Sequence, residues 1–412
     1  MQAEYTLPIE YELDLERIKR DLEGVKTPQG WNVTKGGSSV SDIFLYKNRL
    51  YFGSCNGKLY CLSIEGKKIW DFDTGDVLLN TLVIKDDVIY LGSFNGPLYA
   101  LDLEGKTIWT FNIGDKIGDT PLIYKDRIFF GSKAGRFCCL NLEGKLIWEY
   151  QTTSIIASAQ ASGDTVFFGD LTKMNVFSLD GRRLWDYETG SPISSPQIRG
   201  DNIFFSSFNR NIYCLTLEGK VKWIREMNSF ASVLSALGIV DDKLLIGLMD
   251  HYTYCLDCET GKDIWKFNGL ILVRPSRYAN CLYFGDIDNR LLVVDFQTGI
   301  QKWMYLAGGP IVCTPLVTED KIFFTSWDCY IYCIDKTGKT LWKFKMEGKP
   351  STVHIEHIEE VTIKDQPLQE ISLPQLYKSL ATGQLETEHV YGSSLSGYVA
   401  KEKHYVSRRR YV

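Results

Sequence analysis

The stretch LDLEGKTIW runs from Leu101 to Trp109, and two close copies follow, LNLEGKLIW at 140–148 and LTLEGKVKW at 215–223. Tryptophans at matching places recur at near-regular intervals, at 70, 109, 148, 185, 223, 265, 303 and 342. A period of about 40 residues is typical of one supersecondary unit repeated along the chain. The chain is therefore predicted to be a repeat protein built from eight such units.

Each unit carries the pattern of four short strands. An apolar, β-branched and aromatic run such as RIFFGS at 127–132 precedes a polar turn of the Asn-Gly type, and a second apolar run follows. Two such runs around a tight turn indicate a β-hairpin. The LEGK turn then leads into the strand that carries the tryptophan, and a further run such as PLIYK at 121–125 opens the next unit. No helical periodicity competes with this alternation.

Four-stranded sheets that repeat with this period predict a β-propeller, in which each sheet buries both faces against its neighbours. The predicted fold is all-β, an eight-bladed propeller of four-stranded antiparallel blades over 31–348. Residues 1–30 form an N-terminal extension with a short helix predicted at 14–24, and residues 349–412 form a C-terminal tail. The LEGK glycine permits the tight turn, and the tryptophan is expected to fill the gap between adjacent blades.

Trp31 precedes Trp70 by the same spacing that separates Trp70 from Trp109, so it is in register with the repeat. The last blade already has a tryptophan strand of its own, TLWKF at 340–344. We therefore expect the Trp31 strand to lie beside the last blade and to help close the ring.

The repeats LDCETGKDIW at 256–265, VDFQTGIQKW at 294–303 and IDKTGKTLW at 334–342 resemble the tryptophan-docking repeat of the PQQ-like propellers. That family includes quinoprotein alcohol dehydrogenases and the outer-membrane assembly lipoprotein BamB. The resemblance covers about three quarters of the chain and implies the fold. It does not select a function, because the repeat is a packing motif that enzymes and scaffolds share.

The bulk composition narrows the class of protein. The formal net charge of −5 over 412 residues argues against a general polyanion binder, although a local basic patch is compatible with it. The N-terminal residues lack a basic region followed by an apolar run, and no apolar run of about 18 residues occurs. The chain is therefore expected to be cytoplasmic and to lack a membrane span. The 11 cysteines are expected to be reduced thiols.

Adjacent cysteines at 138 and 139 suggest the disulfide that quinoprotein dehydrogenases carry beside their cofactor. Alignment of the repeats favours packing instead, because one strand position is small in every blade. Its occupants are predicted to be Cys61, Ala100, Cys139, Ser178, Cys214, Cys255, Val293 and Cys333. Cys255 and Cys258 form a lone C-x-x-C, which supplies too few ligands for zinc. No cofactor or metal is expected.

Asp170 and Asp286 follow the second strand of their units, where serine stands in several others. Either aspartate could line a pocket. An exposed aspartate in a turn is the favoured interpretation.

The innermost strands of a propeller surround its axis. They are predicted to begin near Asn80, Asp119, Ser158, Ser194 and Arg274. Small and polar residues suit a wet channel, and Arg274 and Asp119 add charges that would hold a small anion or pair with neighbours. These five residues form the candidate axial ligand site, with an ordinary solvated channel as the alternative.

The hairpin turns are expected on one face, where one turn position is apolar in several blades. The candidate partner surface consists of Phe94, Phe208 and Trp327, with Met249 and Ile287 at the same position. Apolar residues gathered on a rim would indicate a partner surface. The alternative is that they fold down between the blades.

The C-terminal tail changes its charge along its length. Residues 353–388 carry seven acids against two lysines, and the last twelve residues carry five basic residues against one acid. The candidate contacts in this tail are Tyr398, Tyr405, Arg408, Arg409, Arg410 and Tyr411. Arginines interleaved with tyrosines can bind RNA by phosphate contacts and base stacking. They can equally bind an acidic protein or remain solvated.

The favoured hypothesis is a non-enzymatic, cytoplasmic protein-interaction scaffold with the tail as a second contact. A propeller offers a broad rigid face whose loops vary freely. An enzyme or small-molecule binder that uses the axial funnel is one alternative. An RNA-associated factor that works through the basic tail is the other.

Overall fold

The computed structural model describes 31–33, 36–39, 41–78, 82–94, 96–117, 120–152, 158–170, 172–191, 193–207, 209–227, 237–248, 250, 252–269, 271, 273–350 and 353–355. These residues belong to two units. One contains the described residues from 36 to 350. The other contains the strands β1 (Trp31–Val33) and β34 (Val353–Ile355), which pair antiparallel in a two-stranded sheet.

The first unit consists of eight four-stranded antiparallel sheets, and each sheet takes its strands in chain order. Blades 1 to 4 contain β2 (Phe44–Tyr46), β3 (Arg49–Gly53), β4 (Lys58–Ser63), β5 (Lys68–Asp73), β6 (Val83–Lys85), β7 (Val88–Gly92), β8 (Pro97–Leu101), β9 (Thr107–Asn112), β10 (Leu122–Tyr124), β11 (Arg127–Gly131), β12 (Arg136–Asn141), β13 (Leu146–Gln151), β14 (Gln160–Ser162), β15 (Thr165–Gly169), β16 (Lys173–Ser178) and β17 (Arg183–Glu188).

Blades 5 to 8 contain β18 (Gln197–Arg199), β19 (Asn202–Ser206), β20 (Asn211–Thr216), β21 (Val221–Glu226), β22 (Gly238–Val240), β23 (Lys243–Gly247), β24 (Tyr252–Asp257), β25 (Asp263–Asn268), β26 (Ser276–Tyr278), β27 (Cys281–Gly285), β28 (Arg290–Asp295), β29 (Gln301–Leu306), β30 (Leu316–Val317), β31 (Lys321–Thr325), β32 (Tyr330–Asp335) and β33 (Thr340–Lys345). First strands of neighbouring blades contact each other, as β14 contacts β18, so these strands are innermost. The prediction of an eight-bladed, all-β propeller is confirmed for the described residues.

The joint between two blades is an indole ring laid on a glycine. A Cβ built on Gly144 would lie 2.6 Å from Cδ2 of Trp109, so only a residue without a side chain lets the ring approach this turn. The Nε1 of Trp109 donates a hydrogen bond to the carbonyl of Leu142 at 2.9 Å. The ring-on-glycine contact occurs at all eight joints: Trp70–Gly105, Trp109–Gly144, Trp148–Gly181, Trp185–Gly219, Trp223–Gly261, Trp265–Gly299, Trp303–Gly338 and Trp342–Gly66.

A small buried residue lies directly across the strand pair from each tryptophan. Cys61 is the partner of Trp70, and its side chain is fully buried. In blade 4 the occupant is Val176, which is the partner of Trp185, so the prediction of Ser178 at this position is wrong. Ser178 precedes a leucine, as Cys61 does, but it lies two residues beyond the position that pairs with the tryptophan.

The eighth joint closes the ring. Trp342 of blade 8 lies on Gly66 of blade 1 and donates to the carbonyl of Ile64 at 3.2 Å. One apolar cluster combines Phe52 and Leu62 of blade 1 with Phe323 and Ile331 of blade 8.

Trp31 does not take part in this closure as a strand of the last blade. Its strand β1 pairs with β34, in the register Trp31 to Ile355, while the sheet of blade 8 ends at β33. The strand is thus not a member of the blade 8 sheet, and its position beside the last blade stays a prediction, because β1 and β34 belong to a separate unit.

Replacing the joint glycine should cost more stability than its positive φ alone explains, because a side chain there would also clash with the tryptophan ring. Gly144→Ala combines a φ of +78° with the clash against Trp109, whereas Gly114 has a φ of +81° and nothing within 4 Å of its built Cβ. We expect Gly114→Ala to lower the free energy of unfolding by about 1 kcal/mol. Gly144→Ala should lower it by about 1–3 kcal/mol more, because the ring must move. Denaturant unfolding of both variants measures the difference, and equal losses would contradict the joint.

Candidate functional site

The loops of one face are held by a repeated main-chain contact. The turn between the second and third strands of a blade lies against the connection that enters that blade, and the second turn residue donates its N–H to a carbonyl of that connection. The described examples are Cys55 to Ser38 at 2.8 Å, Phe94 to Val77 at 3.4 Å, Lys133 to Lys116 at 2.9 Å and Trp327 to Pro310 at 2.9 Å. We call the surface formed by these turns and connections the hairpin-turn face.

The side chain at that second turn position differs from blade to blade. It is cysteine at 55, phenylalanine at 94, lysine at 133, isoleucine at 287 and tryptophan at 327. The backbone around it repeats, because the fourth turn residue donates to the first, as in Gly57 to Ser54 at 3.0 Å. The side chains of Cys55, Lys133 and Trp327 are buried at this position, whereas those of Phe94 and Ile287 are half-buried.

Phe94 is half-buried and belongs to a cluster with two lysines. The Nζ atoms of Lys116 and Lys133 lie 4.5 and 4.4 Å from the centre of its ring. Lys133 itself is only 2% exposed. Ammonium groups at these distances are attracted by the negative face of the ring. At this blade the accessible part of the cluster is therefore Phe94 with Lys116, an aromatic ring beside one cation, and Lys133 is buried.

Trp327 is a core residue. Its side chain is 3% exposed, and its carbonyl accepts a hydrogen bond from Oγ of Ser38 across the ring closure at 2.7 Å. Trp327 follows the alternative in which the turn side chain folds down between the blades, so it is not an exposed partner residue. The connection can pass close over this turn because Gly309 has no side chain; a Cβ built there would lie 2.8 Å from the nitrogen of Asp328. Phe208 and Met249 lie outside the described residues.

The axial candidates are only partly described. Asn80 and Asp119 lie outside the described residues, and Arg274 is exposed. Ser194 is 2% exposed, and its Oγ accepts the N–H of Ser206 at 3.0 Å. The N–H of Ser158 donates to Oγ of Ser195 in the next blade at 3.2 Å.

The Ser158–Ser195 hydrogen bond links blades 4 and 5, whereas the Ser194–Ser206 hydrogen bond lies within blade 5, and both have a structural role. The tail candidates Tyr398, Tyr405, Arg408, Arg409, Arg410 and Tyr411 all lie outside the described residues.

Asp170 and Asp286 cap their hairpin turns from a buried position, being 5% and 1% exposed. The favoured interpretation as turn residues is correct, but their exposure was predicted wrongly. Asp286 accepts the N–H groups of Asp288 and Arg290 at 3.0 and 2.9 Å and the Nε of Arg290 at 2.7 Å. Burial raises the pKa of Asp286, and the Arg290 guanidinium opposes that rise.

Sequence reasoning missed Asn175, which is fully buried in blade 4. It stands where several other blades have a tyrosine, such as Tyr60 or Tyr213, and that departure from the repeat is the signal that could have found it. Its Nδ2 donates to Oδ2 of Asp170 at 2.9 Å, whereas its Oδ1 has no hydrogen-bond partner. The pair is a polar insertion between aromatic neighbours in the joint of blades 3 and 4.

All 11 cysteines are free thiols, and all but Cys281 are buried. Burial raises the pKa of Cys138 to about 12 and that of Cys139 to about 11. The two side chains point to opposite faces of β12: Cys138 packs in the core shared with blade 2 and Cys139 in the core shared with blade 4. This pair does not fit the disulfide of a quinone site, because it lies inside two closed blade joints.

Burial also raises the pKa of both Cys255 and Cys258 to about 12. Among the described residues, no group of three or more histidine, cysteine, aspartate or glutamate side chains is placed to hold a metal ion. No helix within the described ranges is long and apolar enough to cross a membrane.

The repeated tryptophan joints define a PQQ-like β-propeller. The family model described as outer membrane protein assembly factor BamB matches residues 55–267 and 254–368. The chain therefore belongs to this family of propellers, and the resemblance drawn from the repeats is confirmed.

Solved structures support the fold. BamB from Moraxella catarrhalis is 18% identical with a TM-score of 0.59, over 73% of this chain and 94% of that one. The computationally designed Ika8 protein is 15% identical with a TM-score of 0.62, over 77% and 98%. A europium-containing methanol dehydrogenase is 13% identical with a TM-score of 0.60, over 73% and 85%. At such identities the likeness is one of fold alone.

Among curated proteins, the beta-alanine-activating enzyme of Danio rerio is 26% identical over 100 residues. That match spans 22% of this chain and 9% of the relative. The chain thus corresponds to a small part of that protein's length.

Thiol reactivity tests the packing role of the cysteines. Only the thiolate reacts, and a pKa of about 11 to 12 leaves roughly one thiol in a thousand or fewer ionised at pH 8. We expect one thiol per native chain, Cys281, to react rapidly with a disulfide reagent, and 11 to react after unfolding. Cys281→Ser should abolish the rapid phase. Rapid reaction of Cys138 or Cys139 would contradict the assignment.

Proposed function

We propose that the chain is a non-enzymatic, cytoplasmic protein-interaction scaffold that binds its partner on the hairpin-turn face. The observation that carries this proposal is the half-buried pair Phe94 and Lys116, whose ring centre and Nζ lie 4.5 Å apart. The N–H of Phe94 makes the contact to the incoming connection that Cys55 and Trp327 also make, so the backbone that carries the pair is held in place. A rigid scaffold that positions variable loop residues is typical of a binding surface.

The face opposite the hairpin-turn face is the less suitable binding surface, because lysines there form ion pairs with aspartates of the next blade. Lys47 pairs with Asp87 of the next blade at 2.6 Å, and Lys125 pairs with Asp164 at 2.8 Å. Exposed pairs of this kind contribute little to stability, and each places a cation beside an anion, so these four residues offer no net charge to a partner. Phe94 and Lys116, both half-buried on the hairpin-turn face, offer an aromatic and a cationic contact, while the buried Lys133 lies against the same ring.

The partner that this cluster suits is a protein with an acidic and aromatic or apolar segment. Lysines beside an aromatic ring can accept a carboxylate while the ring accepts an apolar side chain. The C-terminal tail is proposed as a second contact, to protein in the first place and to RNA as the alternative. An axial ligand remains the rival from a different class.

Affinity purification from the native host with mass spectrometry tests the surface. We expect a partner that is retained by the wild-type chain and lost with Phe94→Ala combined with Lys116→Glu, because the aromatic and cationic contacts disappear together. Glu143→Ala in a turn of the opposite face is the matched control and should keep the partner. A truncation after Ile355 tests the tail and leaves every described strand intact.

Three outcomes would contradict the proposal in its surface, its class or its partner. Partners retained by the hairpin-turn variant and lost with Glu143→Ala would place binding on the opposite face. A rise in melting temperature on adding pyrroloquinoline quinone with calcium would favour the axial site. RNA binding that falls with salt and is lost with the truncation would favour the RNA alternative.

A further inference from the structure

The outer strand of blade 7 departs from the other seven outer strands. Three residues before the tryptophan, the other blades carry lysine or arginine, whereas blade 7 carries Ile300. Three residues after the tryptophan, the others carry aspartate, glutamate, asparagine, glutamine or lysine, whereas blade 7 carries Leu306. One residue after the tryptophan, blade 7 carries Met304 and only blade 5 is also apolar, with Ile224.

These side chains are exposed. The exposed fractions are 66% for Ile300, 52% for Met304 and 67% for Leu306. Met304 and Leu306 point away from the joint with blade 8, because side chains alternate along a strand and Tyr305 packs into that joint against Phe324 and Tyr332. The strand thus presents an apolar row that does not contribute to the core between its own blade and the next.

The same strand is an edge. β29 pairs with β28, and no described strand pairs with its other side. A free edge that carries apolar side chains is a template for strand pairing, and proteins commonly protect such edges with lysine or other charges. The other outer strands have this protection: blade 8, for example, carries Lys343 and Lys345 at the positions of Met304 and Leu306.

Charge selects a second copy of the same chain as the occupant. Two identical strands can pair antiparallel about a two-fold axis only if like charges do not meet. Two copies of blade 8 would bring lysines against lysines. On β29 the one charged residue is Lys302, and its Nζ already lies 3.1 Å from Oδ2 of Asp295 in the same chain.

We propose that two copies of this chain dimerise through β29, pairing antiparallel in the register that sets Met304 opposite Leu306 of the second copy. This register keeps the two Lys302 side chains apart and joins the two blades into one eight-stranded sheet. Only blade 7 is apolar at both the first and the third position after the tryptophan. Because the contact is two-fold and uses this one strand, the assembly closes at a dimer and does not grow into a filament.

Light scattering across a concentration series tests the dimer. The wild-type chain is expected to approach twice its mass of 47.1 kDa as concentration rises, and the double variant Met304→Lys, Leu306→Lys should stay at the single mass. Lysine is compatible with the fold at both positions, since blade 8 has it there. Ile224→Lys is the matched control, because Ile224 occupies the same position in blade 5 and is 49% exposed; it should still dimerise.

A cysteine pair tests the register independently. On a Cys281→Ser background, Met304→Cys with Leu306→Cys should give a disulfide-linked dimer on oxidation, and Ile224→Cys should not. A wild-type chain that stays monomeric at every concentration would overturn the proposal. So would a double lysine variant that dimerises as the wild type does, or an Ile224→Lys variant that loses the dimer to the same extent.

Discussion

The fold depends on one contact made eight times, an indole ring on a glycine that has no side chain to hold it off. The ring also donates its N–H to a carbonyl of the next blade at six of these joints, at distances from 2.8 to 3.2 Å. Such a joint fixes the spacing of two sheets and their relative direction at once. Since Trp342 on Gly66 repeats it between the last blade and the first, the ring closes with the contact that builds it.

The repeat let the fold be predicted from the sequence, because each joint needs both residues at fixed places. Tryptophan has the largest side chain and glycine has none, so their recurrence reveals the period in the sequence alone. The alignment failed in blade 4, where Ser178 precedes a leucine as Cys61 does, although the small position is Val176, two residues earlier. Trp31 has the right spacing for the repeat, but its strand pairs with Val353–Ile355 and not within a blade sheet.

The candidate site was less predictable, because burial at a turn depends on the loop that passes over it. Trp327 and Phe94 occupy the same turn position, yet one is a core residue and the other is half-buried beside two lysines. At Trp327 the connection passes close over the turn because it contains Gly309. Gly309 lies before the whole hairpin in the sequence, so the residues around Trp327 do not reveal this contact. The cysteines could be assigned to packing, because their position was set by the strands and not by the loops.

Because the repeat is so regular, a residue that differs from the other seven blades is easy to recognise. Where all eight units need the same residue, its presence says only that the ring is built. A residue that differs from the repeat, at a position where the joint does not require the difference, is therefore more informative about function. Asn175 in blade 4 replaces an aromatic side chain with a polar one and leaves Oδ1 without a hydrogen bond, which is unfavourable inside a core. Leu306 in blade 7 does the converse and exposes an apolar side chain where polar ones stand elsewhere. Neither change strengthens the ring, so what these two residues do has to be sought outside the joints that hold the blades together.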